Sequence, residues 1–168
     1  MRRGVLGAIA AAVCSMSFGL AQVPVTAQSA FEKLKGLAGR WEGTAEDGSA
    51  VAASYRVTAN RSAVVETILP GTEHEMVTMY HMDGDRLMLT HYCAVGNQPR
   101  MVLDPQEGSN ALVFQFAGAT NMKSDRDMHM HSARIRIVNS DLIEAEWDAW
   151  KDGKKSSTEK FILKRISR

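Results

Sequence analysis

From Gly39 onward the chain alternates apolar and polar side chains with a period of two. Val51, Ala53, Tyr55 and Val57 share one phase, and Ala52, Ser54, Arg56 and Thr58 share the other, as on a half-buried strand. Nine further runs read the same way: 39–44, 63–69, 73–82, 86–94, 100–103, 111–117, 128–138, 142–150 and 157–165. Turn residues punctuate them, at Pro70-Gly71, Asp83-Gly84 and Asp152-Gly153, where glycine supplies the backbone angles a tight reversal needs. Upstream, Phe31, Leu34 and Leu37 recur at helical spacing and predict one short helix. About ten strands in succession, with no helical crossover between them, must pair antiparallel. The predicted fold is therefore all-β, an up-and-down barrel closed on itself so that no edge is left exposed. A two-sheet sandwich is the competing architecture.

Faces follow from the hairpin at Asp83-Gly84. With Gly84 as the left-handed residue of a three-residue loop, His81 opposes Asp85. One face then carries Glu75, Val77, Met79, Leu87, Leu89, His91 and Cys93. Its greater apolar content assigns it to the interior, and a one-residue slip would exchange the partners. A buried Glu75 needs a partner, and Arg100, His91 or a bound molecule can serve. Further along, His129 and His131 fall in phase with Ala133, Ile135 and Ile137, which turns both imidazoles inward unless a bulge intervenes. Residues two apart on a strand project the same way about 7 Å apart, within reach of one metal ion. Imidazole suits zinc, copper, iron or nickel, and His91, Cys93 or Glu75 is available as a third ligand.

Composition narrows the picture. Of 168 residues 45% are hydrophobic and 23% charged, enough for one domain with a real core. A net charge of +1 gives no basic field for nucleic acid, and no aromatic run interleaves with basic residues. Arg2 and Arg3 precede a charge-free apolar run from Gly4 to Leu20, and Val25-Thr26-Ala27 offers small residues for a peptidase. Residues 1–27 read as a secretory signal peptide, leaving 28–168 as the domain, periplasmic or secreted, with no stable membrane span after cleavage. Val13 is a poor residue before a lipoprotein cysteine at Cys14. Cleavage removes Cys14 and leaves Cys93 alone, so the exported domain has no internal disulfide and is held by packing.

Leu37-Ala38-Gly39-Arg40-Trp41-Glu42-Gly43 resembles the Gly-x-Trp opening of lipocalin-like, or calycin, barrels. The resemblance implies that Trp41 closes one barrel end and that Arg165 or Lys164, near the chain end, packs on its face. The runs Val64-Val65-Glu66-Thr67, Met79-Tyr80-His81, Thr90-His91-Tyr92-Cys93 and Gly96-Asn97-Gln98-Pro99-Arg100-Met101 also resemble a set of uncharacterised bacterial lipocalin-like domains, often exported. That family carries no agreed activity. A more distant likeness is to nitrobindin-type haem barrels, whose ligating histidine comes late; this chain has no histidine after His131.

Common catalytic signatures are missing. His74-Glu75 lacks the second histidine of a zinc-protease helix, no Gly-x-Ser-x-Gly elbow occurs, and no phosphate-cradling glycine loop is present. No residue stands out as a nucleophile, and no cofactor is specified. The leading expectation is a barrel that binds a small apolar molecule, its polar end oriented by Glu66, Glu75, His91, Cys93, Asn97 or Arg100. A metal- or haem-binding barrel using His91, His129 and His131 is the first alternative. A structural or interaction domain with a side-chain-filled interior is the second. The oligomeric state is not specified by the sequence.

Overall fold

The computed structural model describes residues 25–105 and 111–168. The signal-peptide expectation, including Cys14, falls almost wholly outside the described residues. The described residues form one helix, α1 (Ala27–Lys35), and ten strands: β1 (Gly39–Ala45), β2 (Ala50–Thr58), β3 (Ala63–Ile68), β4 (Met76–Asp83), β5 (Arg86–Tyr92), β6 (Gln98–Asp104), β7 (Ala111–Thr120), β8 (His129–Asn139), β9 (Leu142–Lys151) and β10 (Lys154–Ser167). Each strand pairs antiparallel with its sequence neighbour, and β1 pairs with β10 as well as β2, so the sheet closes into a barrel. Closure, not a sandwich, is how the edges are removed. Among the described residues no helix is long and apolar enough to cross a membrane.

The seam between β1 and β10 is held by close backbone approach. A β-carbon on Gly43 would stand 1.8 Å from the Ile162 carbonyl oxygen, and one on Gly39, at φ +132°, 2.2 Å from that of Ser167. Only glycine fits such contacts. Beside the seam, Trp41 is fully buried and donates its indole N–H to the Leu37 carbonyl at 2.8 Å. The Arg165 guanidinium lies 4.2 Å from the centre of the Trp41 ring, a cation–π contact in a desolvated setting. The same guanidinium donates to the carbonyls of Gly36, Leu37, Ala38 and Ser140 and meets the Asp141 carboxylate at 3.3 Å. The basic partner of Trp41 is thus Arg165, not Lys164.

Thr26 caps α1 by accepting from Ser29 N, and the helix buries Ala30, Phe31 and Leu34 against the barrel's core. It closes the end that carries the β2–β3 turn. The other end stays open, ringed by the β1–β2 turn, the β3–β4 loop and the β5–β6 turn. Between them the interior is filled by Tyr55, Tyr80, Leu87, Leu89, Met101, Phe114 and Trp147, all buried.

Two face assignments need correction. The β4–β5 turn has two central residues, Gly84 and Asp85, with positive φ at Gly84 alone, so Asp83 opposes Arg86 and Thr78 opposes His91. Against the expected three-residue loop this slips β4 by an odd number of residues and reverses its faces. Thr78 and Tyr80 point inward with Leu87, Leu89 and His91. Glu75 lies exposed in the β3–β4 loop, accepting from Gly71 N at 2.6 Å.

The second correction is at β8, where a bulge between Met130 and Ser132 breaks the phase that had sent both histidines inward. Met130 opposes the buried Ala149 and packs on the core; His129 opposes Trp150 and shares its face.

Arg165→Lys keeps the charge but loses the planar fork that reaches several carbonyls at once. It is expected to lower unfolding stability by about 3 kcal/mol, since hydrogen bonds to a charged group are worth ~1.5–3 kcal/mol each. Urea denaturation of the purified chain reads this directly.

Candidate functional site

Alternation on β2, β3 and β4 carries three polar side chains into the apolar interior at one level. The Glu66 carboxylate, 2% exposed, accepts from the Tyr55 hydroxyl at 2.5 Å and from the Tyr80 hydroxyl at 2.6 Å, one on each oxygen. Burial raises the Glu66 pKa, and the hydrogen bonds from Tyr55, Tyr80 and Thr78 oppose that rise. Both tyrosines are pushed well above their ordinary value, first by burial and then by the Glu66 charge, so their hydroxyls remain donors.

The chain of bonds continues. Thr78 Oγ1 lies 2.9 Å from His91 Nδ1. Thr78 is also among the groups that hold the Glu66 pKa down; with its proton directed to that carboxylate, its oxygen accepts from His91 Nδ1–H and His91 Nε2 carries the lone pair. Burial holds the His91 pKa down at about 4, so the ring is neutral at physiological pH. Its centre sits 4.8 Å from that of Trp147. Among the described residues, three buried polar side-chain atoms have no hydrogen-bond partner: His91 Nε2, Trp147 Nε1 and Asn97 Oδ1. The first two are an acceptor and a donor on adjacent rings inclined at 39°, deep in the barrel.

One step toward the open end along the same strands come Met76 on β4 and Cys93 just past β5. They join Val51, Leu69, Met130 and Phe161 in lining a cavity of about 860 Å³ at the barrel mouth. The lining is chiefly apolar. Cys93 is half-buried, not core, and burial raises its thiol pKa, so it is no thiolate at neutral pH. Asn97 is buried beside the mouth, where its Nδ2 donates to the Met128 carbonyl at 2.8 Å and ties the β5–β6 turn to the β7–β8 loop. Arg100 is exposed on the outside, beside Gly118.

The sequence-predicted residues therefore separate. Glu66 and His91 share the interior network, Cys93 and Asn97 belong to the rim, and Glu75 and Arg100 stand apart in solvent. The three candidate metal ligands are not brought together. His91 is inside against Trp147, whereas His129 and His131 lie with Phe116 and Trp150 in a separate ring cluster. Among the described residues no group of three His, Cys, Asp or Glu side chains is placed to hold a metal ion. Tyr55, Thr78, Tyr80 and Trp147 complete the interior network and were not singled out from sequence. For Tyr55 the signal was present, in the phase of Val51, Ala53 and Val57; for Thr78 and Tyr80 the reversed hairpin register hid it.

No protein-family model matches the sequence, and no curated protein matches it. The fold is similar to a solved structure, a protein of unknown function of the DUF3598 family from Nostoc punctiforme. The likeness has a TM-score of 0.52 at 14% identity and covers 79% of this chain and 49% of that one. This chain thus spans about half the length of that protein, and the likeness supports the barrel fold alone.

His91 gives the interior a pH signature. Its folded pKa of about 4 lies below the ordinary 6.5, so the unfolded chain takes up the proton first as pH falls. The stability it contributes is complete above pH 6.5 and drains away toward pH 4, about 3 kcal/mol in all at ~1.4 kcal/mol per pH unit. Glu66, raised by burial, acts in the opposite sense, favouring the fold at low pH. In urea melts from pH 4 to 7, His91→Phe is expected to flatten the loss of stability on acidification by roughly that amount.

Proposed function

We propose that this chain is an exported barrel that binds a small, largely apolar molecule through its open end. The observation that carries the reading is the mouth cavity, about 860 Å³, walled by Val51, Leu69, Met76, Met130 and Phe161. Ligand cavities are typically ~300–1,000 Å³, mostly apolar, with a few directed polar groups. The outer edge of the cavity also carries Glu46, Asp47, His74, Glu159 and Lys160, and the buried pair His91 and Trp147 lies beyond its lining residues, deeper in the barrel. His91 Nε2 accepts and Trp147 Nε1 donates, so a hydroxyl, amide or protonated acid reaching that level satisfies both. A charged head is disfavoured at that depth, because a desolvated ion is costly. Glu66 serves this floor by positioning: it fixes Thr78, which fixes the His91 tautomer.

The lipocalin-like resemblance supports the same reading, since the Trp41–Arg165 pairing that it implies is present. Export is proposed from the leader pattern in residues 1–27. A cell expressing the full chain is expected to release it from the cytoplasm with the leader removed, checked by fractionation and intact mass.

Binding is tested with a neutral apolar dye whose fluorescence rises on desolvation. Met76→Trp and Met130→Trp fill the cavity from opposite walls and are expected to weaken dye binding about tenfold or more, equivalent to ~1.4 kcal/mol. The thermal midpoint should change little. Dye binding equal in all three proteins sinks the proposal and leaves the filled-barrel reading in its place.

A further inference from the structure

A second recess lies outside the barrel, under the β7–β8 loop, and the bulge in β8 creates it. Trp147 and Ala149 face inward, so Trp150 faces out, and His129 opposes it across the ladder. His131, the extra residue of the bulge, stacks on Trp150 at 3.9 Å with 14° between planes and on Phe116 at 4.8 Å with 15°. These rings, with Ala119, Met122 and the Lys123–Asp125 stretch, line a groove of about 580 Å³. It shares no lining residue with the mouth cavity.

The hydrogen bonds fix what the groove offers. His129 Nδ1 lies 2.8 Å from the Asp127 carbonyl oxygen. A carbonyl only accepts, so that nitrogen carries the proton. His129 Nε2, 2.9 Å from His131 Nδ1, is then a lone pair receiving the His131 proton. With both rings neutral, His131 Nε2 is the unprotonated nitrogen at the end of a directed relay, and no protein group among the described residues engages it. Each donated bond polarises the next ring and strengthens its acceptor. His131 is partly exposed where His129 is buried, so the available acceptor is on the accessible ring. Lys123 and Asp125 at the rim carry opposite charges, which leaves no net field to select an ion.

We propose that this groove binds a neutral aromatic molecule carrying one N–H or O–H donor, its body against Phe116, Met122 and Trp150 and its donor on His131 Nε2. Aromatic walls favour an aromatic guest through face and edge contacts, and an unengaged acceptor beside them discriminates between guests that do and do not bring a donor. The site is independent of the mouth and stands or falls separately from the function proposed above.

Indole and 1-methylindole are the probes, since they differ chiefly in the donor. By titration calorimetry, indole is expected to bind the intact chain about tenfold more tightly than 1-methylindole. His131→Phe keeps a ring in the stack and should abolish that preference, and Trp150→Ala should weaken both probes. If Trp150→Ala fails to fold, the His131 imidazole resonances in NMR report the same contact, shifting with indole and far less with 1-methylindole. Equal affinity for the two probes, an unchanged preference in His131→Phe, or no binding at about millimolar indole overturns the proposal. Competition between indole and the mouth dye also overturns it, by placing indole in the mouth.

Discussion

Everything in this barrel depends on the seam where β1 meets β10. A sheet of ten strands has two edges until its first and last strands join, and an unjoined edge is a template for aggregation. The join here needs both backbone proximity and a latch. Gly39 and Gly43 allow the proximity by removing side chains that would collide with β10. Arg165 is the latch, because one guanidinium reaches carbonyls of the α1–β1 link and of the β8–β9 turn while lying on Trp41. Segments more than a hundred residues apart in sequence meet on a single side chain. Once that end is fixed and α1 covers it, the opposite end is the one left able to admit a molecule.

The interior network shows how an acid survives in an apolar barrel. An isolated carboxylate at 2% exposure would protonate. Glu66 is instead surrounded by hydroxyl donors, each held by its own strand: Tyr55 on β2, Thr78 and Tyr80 on β4. Such a network rigidifies only when fully satisfied. It is satisfied at Glu66 and ends unsatisfied at His91 Nε2 and Trp147 Nε1. The unmet hydrogen-bonding capacity of the interior thus lies not at the acid, which is partnered, but at these two groups.

Periodicity makes most of the architecture legible in the sequence. The helix, the ten strands and the closed antiparallel barrel follow from alternation and turn residues, and Trp41 with a late basic partner follows from the Gly-x-Trp resemblance. What escaped were two local events that alternation does not encode. At Gly84 the choice between a two-residue and a three-residue turn is a matter of one residue, yet it exchanged Glu75 and Val77 for Thr78 and Tyr80 on the inner face. At His131 one inserted residue exchanged the inward and outward sides of β8. Candidate chemistry was therefore less legible than the fold. Of the residues named for the interior, Glu66 and His91 sit on strands read in the correct phase, and Glu75, His129 and His131 sit beyond a slip.

The bulge also keeps the groove beside Trp150 apart from the mouth cavity. An unbulged β8 would carry His129 and His131 into the mouth, making it polar and leaving Met130 outside. With the extra residue, Met130 enters the mouth beside Met76 and Phe161, and the histidines leave it for Trp150. Sulfur and hydrocarbon thereby gather at one site and aromatic nitrogen at the other. A flexible methionine lining adapts to guests of varied shape, whereas stacked rings with one directed lone pair favour a guest of fixed geometry. A single inserted residue thus separates the mouth cavity from the ring-lined groove, on opposite faces of the same strand.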